Sequence, residues 1–294
     1  YMEKKPLVVV NGLVRKDAIA YLKEHVDVRQ WTEKTVMPRE VLKEWLIDAD
    51  GLWCVRPLDV DGDLVKNAPK LKVIAQAAVG YDNVNIDELT VAGIPYGNTP
   101  GVLNETVAEL AFTLIATASR RIIENANFVK DGRWAQRPSN IKGFDLSRRT
   151  LGIIGMGAIG VSISRRARAF GMTVVYHNRN QRLDDKIHKT TYMELDDLLA
   201  ISDVVCVMAP LTDETYHMCD EAFFKKMKNT ALFVNVGRGP IVDTDALINA
   251  LKTGEIDYAA LDVTDPEPLP ADHPLLEVEN CLIVPHIGSY TDRT

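Results

Sequence analysis

Short hydrophobic runs alternate with stretches of helical periodicity along most of the chain. In the first hundred residues, four apolar runs have the length and composition of strands: 6–12, 26–31, 51–55 and 71–78. The stretches 14–25 and 38–49 lie between them and read as amphipathic helices. Because continuous apolar strands separated by helices are typical of a parallel sheet covered on both faces, the pattern predicts an α/β domain over residues 1–99.

A second series of strands follows a long helical stretch. Residues 104–132 predict one uninterrupted helix with a glycine stop, which either joins two domains or lines a subunit interface. After a polar segment, six more apolar runs predict strands: 150–155, 173–178, 203–210, 231–237, 258–263 and 281–286. We therefore expect a second parallel-sheet domain over residues 100–286, with 287–294 heading back to the first.

Composition narrows the class of protein. A length of 294 residues suits two domains, and 46% hydrophobic with 26% charged residues argues against a disordered or fibrous chain. The net charge of −7 argues against nucleic acid or an anionic membrane as a partner, but not against a small anionic substrate. No apolar run is long enough for a transmembrane helix, and the first residues have no signal-peptide pattern. The cysteines lack a C-x-x-C pair and indicate reduced thiols in a cytoplasmic protein: Cys54, Cys206, Cys219 and Cys281.

A glycine-rich turn joins the strand 150–155 to the helical stretch that follows it. Gly155, Gly157 and Gly160 form G-x-G-x-x-G, a pattern that is weak alone but here lies between a strand and a helix. The first glycine permits the tight turn, the second lets a pyrophosphate approach the backbone, and the third lets helix and strand pack closely. The N–H groups at the helix start, including those of Ala158 and Ile159, would receive the phosphate charge. We predict a Rossmann dinucleotide site; a plain glycine-rich turn is the alternative.

The end of the next strand bears on the choice of cofactor. The position that usually carries a ribose-binding carboxylate falls on Asn178, and Arg179 and Arg182 follow it. Nothing there repels a 2′-phosphate, and two guanidinium groups are available to bind one. We therefore expect NADP(H) to be preferred and NAD(H) to be possible. The alternative is that both arginines are ordinary solvated surface residues.

Three polar residues follow strand ends in the second series. They are Arg238, Glu267 and His286. An arginine fork matches a planar carboxylate, a histidine can protonate the alkoxide left by hydride addition, and a carboxylate can orient and charge that histidine. Because strand ends border the cofactor crevice of a doubly wound sheet, the three side chains are expected to converge there. Together they predict the reduction of a 2-keto acid.

Several stretches resemble the D-isomer-specific 2-hydroxyacid dehydrogenase family. They span residues 71–289 and are VGYDNV (79–84), ETVAE (105–109), LGIIGMGAIG (151–160), NVGRGPIVD (235–243), AALDVTDPEPLP (259–270) and PHIGS (285–289). Within that family, HNR (177–179) and the run from Asp262 are most similar to the glyoxylate/hydroxypyruvate reductases. The resemblance implies a flavodoxin-like substrate domain, a Rossmann domain, an active site in the cleft between them, and domain closure that excludes water.

The resemblance also implies roles for individual residues. The family's arginine, glutamate and acid/base histidine fall on Arg238, Glu267 and His286, and the amides of Val79 and Gly80 would hold the substrate carboxylate. Residues expected to line the cofactor, besides those of the glycine-rich turn, are Thr106, Ala209, Pro210, Thr215, Val236, Gly237, Asp262, His286 and Gly288. No metal is expected. The substrate is expected to be a short 2-keto acid such as glyoxylate or hydroxypyruvate, reduced to the D-2-hydroxy acid.

Two alternatives stay open at this point. The same chemistry also suits a bulkier keto acid or a D-lactate-type substrate, depending on how Trp53 and Arg56 point. The other alternative is a non-catalytic, dinucleotide-sensing protein on the same fold. The stretch 104–132 and the segment around Trp134 also suggest a homodimer. The family usually continues past PHIGS with a helix that returns to the first domain, so residues 287–294 are expected to begin that return.

Overall fold

A computed structural model describes residues 5–56 and 58–292. The last two residues of the expected return segment, 293 and 294, lie outside the described part. By its internal contacts the chain divides into two compact units, one up to Val102 and one from Leu103 onward. Each unit is built on one parallel sheet, so the predicted α/β fold class is confirmed.

The first unit has a five-stranded sheet with the strand order β2-β1-β3-β4-β5, which is the flavodoxin-like order. Its strands are β1 (Leu7–Val10), β2 (Asp27–Gln30), β3 (Gly51–Cys54), β4 (Val73–Gln76) and β5 (Tyr96–Gly97). Its helices are α1 (Lys16–His25), α2 (Arg39–Leu46), α3 (Gly62–Lys66) and α4 (Ile86–Ala92). The core packs Val9, Leu52 and Ile74 of the sheet with Leu42 and Leu46 of α2. The four strands predicted here are confirmed, whereas β5, α3 and α4 are too short to show a period.

The second unit has a seven-stranded sheet with the order β12-β11-β10-β9-β6-β7-β8, the Rossmann order extended by one strand. Its strands are β6 (Thr150–Ile154), β7 (Thr173–His177), β8 (Thr191–Tyr192), β9 (Val204–Val207), β10 (Leu232–Asn235), β11 (Tyr258–Leu261) and β12 (Cys281–Ile283). Its helices are α5 (Asn104–Ser119), α6 (Ile122–Lys130), α7 (Ala158–Ala169), α8 (Asp185–His188), α9 (Leu195–Ile201), α10 (Glu221–Lys226) and α11 (Thr244–Thr253). All six strands predicted after Thr150 are present, and β8 was not predicted.

The strands of the second sheet end level with one another. Ile154 at the end of β6 pairs with His177 of β7 on one side and with Val207 of β9 on the other. The same register continues from Val207 through Asn235 of β10 to Leu261 of β11. Because all these strands are parallel, the residues that follow them emerge at a single edge of the sheet.

The single long helix expected over residues 104–132 is wrong: the structure has α5 and α6, separated at Arg121. Arg121 adopts a left-handed backbone conformation with φ of 51°. The Ser119 carbonyl accepts a hydrogen bond from the Phe144 amide (2.7 Å). The Arg121 guanidinium reaches Asp257 (2.9 Å) and lies 4.0 Å from the Tyr258 ring centroid. These contacts come from distant parts of the chain, so helical periodicity does not reveal the break.

The four cysteines are free thiols, and Cys54, Cys206 and Cys219 are buried. Burial raises the pKa of Cys54 and Cys206 to about 12, so these thiols are inert at neutral pH. Over residues 5–56 and 58–292, no helix is both long and apolar enough to cross a membrane.

We predict that Arg121→Ala lowers the free energy of unfolding by about 1–2 kcal/mol, because it removes a partly buried ion pair and a cation–π contact. The Arg121 side chain is 17% exposed, whereas Arg15, which pairs with Asp17, is 73% exposed. Arg15→Ala is therefore the matched control and should not change stability measurably. Urea unfolding of the three proteins measures the difference, and equal midpoints for all three would contradict the prediction.

Candidate active site

The glycine-rich turn has the geometry that a dinucleotide phosphate requires. Gly155 has φ of +99°, and a Cβ added to it would lie 2.5 Å from the Ala209 amide nitrogen. A Cβ at Gly157 would have nothing within 4 Å, which leaves open space beside the backbone. At Gly160 it would lie 2.9 Å from the Gly155 carbonyl oxygen, so helix and turn touch there. Only the middle glycine faces free space, as an approaching phosphate needs.

Helix α7 begins directly after this turn. Gly157 is its N-cap residue and offers no side-chain cap, so the first N–H groups of the helix, at Ala158 and Ile159, are left to an external acceptor. The helix dipole adds partial positive charge at the same place. The turn lies after β6, where the strand order reverses between β6 and β9, which is the ligand-binding point of such sheets. These residues therefore fit the pyrophosphate of a dinucleotide.

The residues after β7 differ in what their side chains already contact. Asn178 Oδ1 accepts a hydrogen bond from the Met156 amide (2.6 Å), inside the glycine-rich turn. Arg182 forms a two-point ion pair with Asp184 (2.8 and 2.7 Å) and donates to the Met156 carbonyl (2.9 Å). Arg179 is exposed, and across the described residues no hydrogen bond or ion pair engages its side chain. All three residues follow β7, but Asn178 and Arg182 already bind the glycine-rich turn, whereas Arg179 does not.

The structure brings Glu267 and His286 together. Glu267 Oε1 lies 2.5 Å from His286 Nδ1, although the residues are 19 positions apart. The other carboxylate oxygen accepts a hydrogen bond from the Thr264 amide (3.3 Å), which holds the glutamate in place. Within residues 5–56 and 58–292, Nε2 of His286 has no hydrogen-bond partner. The imidazole therefore keeps one ring nitrogen for another molecule.

The pair also shifts the acidity of both groups. The hydrogen bond to Glu267 raises the pKa of His286 above its usual value, against the opposing effect of burial. Burial raises the pKa of Glu267, but the hydrogen bond and positive charge of His286 outweigh it and leave that pKa below its usual value. The positive charge of Arg238 lowers both pKa values by a smaller amount. At neutral pH the arrangement favours a charged imidazolium–carboxylate pair.

Asp262 positions the backbone that carries His286. His286 has φ of 52°, a conformation that costs a non-glycine residue energy and is found mostly at functional sites. Its amide donates to the Asp262 carbonyl (2.9 Å), and the Asp262 carboxylate accepts from the amides of Ile287 (2.7 Å) and Gly288 (3.0 Å). A Cβ at Gly288 would lie 2.9 Å from that carboxylate. The first residues of the expected return segment are therefore bound to Asp262, the residue that follows β11.

Gly239 brings the Arg238 loop against the Glu267 loop. A Cβ at Gly239 would lie 1.8 Å from the Thr264 carbonyl oxygen, so only glycine fits between the two backbones. Asn235 at the end of β10 supports the same loop by donating to the Arg238 carbonyl (2.9 Å). Gly239 was not predicted as a site residue; in the sequence it is marked only by its place directly after a candidate catalytic arginine.

The remaining cofactor candidates lie at the same edge of the second sheet or on α5. Ala209 is buried against the glycine-rich turn, and Gly237 packs on its carbonyl. The Thr215 hydroxyl donates to the Pro210 carbonyl (2.7 Å) and so shapes the loop after β9. Val236 is buried beside Arg238, and Thr106 is buried in the first turn of α5.

In the first unit, two backbone amides have a defined direction. Thr99 donates its N–H to the Ala78 carbonyl (3.0 Å), and Asn98 Nδ2 donates to the Val79 carbonyl (2.8 Å). Because the C=O and N–H of a trans peptide point in opposite directions, the N–H groups of Val79 and Gly80 point away from residues 98 and 99. Neither N–H has an acceptor among the described residues. This role of Asn98 was not predicted; in the sequence the residue is marked only by its place just after a short strand.

The loop after β3 is organised by another residue that the sequence did not indicate. Asn11 is 2% exposed, and its Oδ1 accepts hydrogen bonds from the amides of Val55 (2.7 Å) and Arg56 (3.1 Å). Its Nδ2 donates to the Arg56 carbonyl (3.2 Å). Trp53 lies in β3 and is partly buried, and Arg56 covers Gly12. The buried Asn11 side-chain amide thus holds the backbone of the loop after β3, which was expected to influence the size of the substrate.

The second unit is a doubly wound sheet with a glycine-rich turn at its switch point, and the Glu267–His286 pair lies at the same edge. This combination defines a dinucleotide-dependent oxidoreductase. Residues 112–288 match the family described as D-isomer specific 2-hydroxyacid dehydrogenase, NAD binding domain. The chain is 42% identical over 293 residues to a glyoxylate reductase of Korarchaeum cryptofilum, covering 99% of this chain and 88% of that protein. The chain belongs to the D-isomer-specific 2-hydroxyacid dehydrogenase family, as its motifs predicted.

Solved structures agree with this assignment. A glyoxylate reductase from Paecilomyes thermophila is 31% identical, with a TM-score of 0.89, over 99% of this chain and 91% of that chain. An NADPH-dependent glyoxylate/hydroxypyruvate reductase from Sinorhizobium meliloti, in complex with NADP and malonate, is 29% identical, with a TM-score of 0.89, over 99% and 89%. The fold is therefore that of the family over nearly the whole chain.

We predict that Gly239→Ala lowers the free energy of unfolding by about 1–3 kcal/mol, because its Cβ would overlap the Thr264 backbone. Separation of the two loops should also weaken the hold on Arg238. Gly157→Ala is the matched control, since it meets no atom within 4 Å and should leave the melting temperature of the protein without ligand unchanged. Thermal unfolding followed by circular dichroism measures both; equal loss in the two variants would contradict the close approach at Gly239.

Proposed function

We propose that this protein reduces glyoxylate, hydroxypyruvate or a similarly short 2-keto acid to the D-2-hydroxy acid, with a nicotinamide dinucleotide as hydride donor. The observation that carries the proposal is the Glu267–His286 pair, with a contact of 2.5 Å, at the sheet edge that also bears the glycine-rich turn. The relatives described above, which are glyoxylate reductases, support the same substrate class. Nothing favours the bulkier substrates or the non-catalytic role considered from the sequence.

His286 is the proposed general acid. Its Nδ1 faces Glu267, so the proton available for transfer is the one on Nε2. When bound, the dinucleotide supplies a hydride to the carbonyl carbon of the keto acid. His286 then gives its Nε2 proton to the carbonyl oxygen, and the positive charge lost from the imidazole equals the negative charge that developed on that oxygen. Glu267 raises the pKa of His286, so the histidine stays protonated near neutral pH.

Arg238 and the amides of Val79 and Gly80 are the proposed carboxylate ligands. A guanidinium offers two parallel N–H groups to a carboxylate, which fixes the plane of the keto acid as well as its position. The two amides lack acceptors within the described ranges, and their directions are set by Asn98 and Thr99, which supports a role as anion donors.

NADPH is the proposed preferred cofactor, with NADH also accepted. The side chain after β7 is Asn178 rather than a carboxylate. The neighbouring Arg179 is exposed and makes no hydrogen bond or ion pair with the described residues, although its charge is attracted to Glu214 at longer range. One charge-assisted hydrogen bond to a 2′-phosphate is worth about 1.5–3 kcal/mol, which is enough for a tenfold preference. The Sinorhizobium meliloti reductase, which is NADPH-dependent, supports this choice.

A homodimer in the cytoplasm is the proposed state of the protein. Ile122, Val129 and Trp134 expose apolar surface on α6 and the turn after it, and Trp134 is 67% exposed. A second copy covering this surface would remove it from water. The free cysteines favour a reducing compartment. A monomeric mass by light scattering would contradict the dimer.

The decisive test is steady-state kinetics with a panel of 2-keto acids of increasing side-chain size, each with NADPH and with NADH. We expect kcat/KM to be highest for glyoxylate or hydroxypyruvate, and higher with NADPH. Higher efficiency with pyruvate or branched keto acids would replace the proposed substrate. The absence of turnover with any keto acid, in protein that binds the dinucleotide, would contradict the enzymatic proposal.

We predict that Glu267→Gln shifts the alkaline fall of keto-acid reduction to lower pH. Reduction needs protonated His286, so the rate falls as pH rises through the pKa of His286, which Glu267 holds above its usual value. Loss of the carboxylate lowers that pKa and brings the fall to lower pH. His286→Ala is the comparison, with kcat reduced by about 10²–10⁴ at every pH. A pH–rate profile of Glu267→Gln that matches the wild type would remove Glu267 from this role.

We predict that Arg238→Lys raises the KM for the keto acid and lowers kcat, because an ammonium group cannot bind a carboxylate through two parallel N–H groups. The dissociation constant of the dinucleotide should change little. Kinetics together with dinucleotide binding by fluorescence separate the two effects. Near-wild-type kcat/KM in Arg238→Lys would mean that other groups hold the carboxylate.

A further inference from the structure

Arg182 and Arg179 lie three residues apart after β7, but the structure gives them different surroundings. Arg182 uses Nε and Nη2 to bind the two oxygens of Asp184 and Nη1 to bind the Met156 carbonyl. Its side chain is 26% exposed. Arg179 is exposed and, in the part of the chain that the structure describes, forms neither an ion pair nor a hydrogen bond. The two guanidinium groups are therefore not equivalent ligands for a phosphate.

The Asp184 carboxylate neutralises Arg182. The hydrogen bonds from Arg182 lower the pKa of Asp184 to about 2, so this carboxylate is ionised at any working pH. His188 Nε2 lies 3.1 Å from the same carboxylate and helps to hold it. A phosphate that approached Arg182 would meet an ion pair with little net charge and would be repelled by the nearby aspartate.

Both backbone polar groups of Met156 are hydrogen-bonded by side chains that follow β7. Its N–H donates to Asn178 Oδ1 (2.6 Å), and its carbonyl accepts from Arg182 Nη1 (2.9 Å). Met156 stands between Gly155 and Gly157, and its carbonyl belongs to the peptide plane that leads into Gly157, the N-cap of α7. The Tyr176 hydroxyl accepts from the Arg182 amide (2.9 Å) and ties the arginine to the end of β7. The direction of the glycine-rich turn is thus set by side chains that follow the second strand.

We propose that Arg182, together with Asn178, is a positioning residue that holds the glycine-rich turn in its phosphate-binding shape, and that Arg179 alone discriminates NADPH from NADH. This inference rests on the proposed dinucleotide-dependent function. It changes the expectation from the sequence, in which both arginines were candidate ligands of the 2′-phosphate. The pyrophosphate is common to both dinucleotides, so a residue that shapes its site affects both equally, whereas a 2′-phosphate ligand affects only NADPH.

The test measures the dissociation constants of NADPH and NADH by fluorescence for the wild type, Arg179→Ala and Arg182→Ala. Arg182→Ala is made together with Asp184→Asn, so that no unpaired carboxylate is left to repel the 2′-phosphate. This double variant should weaken both dinucleotides by a similar factor, about tenfold, and leave their ratio nearly unchanged. Arg179→Ala should weaken NADPH by about tenfold or more and leave NADH unchanged. Arg29→Ala is the matched control: Arg29, in the first unit, also donates to a carbonyl, that of Trp45, and binds both oxygens of Asp48, and its loss should alter neither constant.

A conservative variant keeps the test informative if Arg182→Ala folds poorly. Arg182→Gln, also made with Asp184→Asn, keeps a polar side chain but is too short to reach the Met156 carbonyl, so it should weaken both dinucleotides as Arg182→Ala does. If Arg182 were a phosphate ligand, Arg182→Ala and Arg182→Gln would each lose NADPH affinity and keep NADH affinity. Either that result or unchanged constants in Arg182→Ala would overturn the inference. A wild-type protein that binds neither dinucleotide would instead contradict the proposed function.

Discussion

In the second unit, parallel strands end in register, and the candidate site depends on this constraint. Ile154, His177, Val207, Asn235 and Leu261 lie level across the sheet. Each parallel strand presents the next residue at its carboxyl end, so a phosphate-binding turn, an arginine and an acid pair emerge side by side although the chain separates them widely. A change of register in one strand would move its residue away from the others.

The position of His286, the proposed general acid, depends on backbone contacts that hold it in a strained conformation. His286 adopts a left-handed conformation, which persists because its amide is bound by the Asp262 carbonyl and the residues after it by the Asp262 carboxylate. Burial raises the pKa of that carboxylate, against the stabilising effect of these amides. The Arg238 loop also depends on a close backbone contact, because a Cβ at Gly239 would lie 1.8 Å from the Thr264 carbonyl oxygen. Backbone contacts therefore set the positions from which the side chains of Arg238 and His286 extend.

Two ion pairs near the cofactor edge leave different groups available. In the pair of Glu267 and His286, each residue contributes one of its polar atoms, and Nε2 of the histidine has no hydrogen-bond partner among the described residues. In the pair of Arg182 and Asp184, both carboxylate oxygens are bound and the third guanidinium nitrogen is directed to the glycine-rich turn. The first pair leaves one ring nitrogen available to another molecule, whereas the second also binds the backbone of the turn. A list of charged residues does not distinguish these cases.

The sequence by itself determined the two parallel-sheet domains, most of their strands, the glycine-rich turn and the family, because these depend on local periodicity and on short contiguous motifs. It also identified Arg238, Glu267 and His286 as candidates from their chemistry and their places after strands. Tertiary structure alone decided the break at Arg121, the closeness of Gly239 to Thr264, and the support that Asn98 and Asn11 give to loops. It also decided that Arg182 is paired and Arg179 is exposed. These outcomes depend on partners distant along the chain, and no local pattern of residues records such partners.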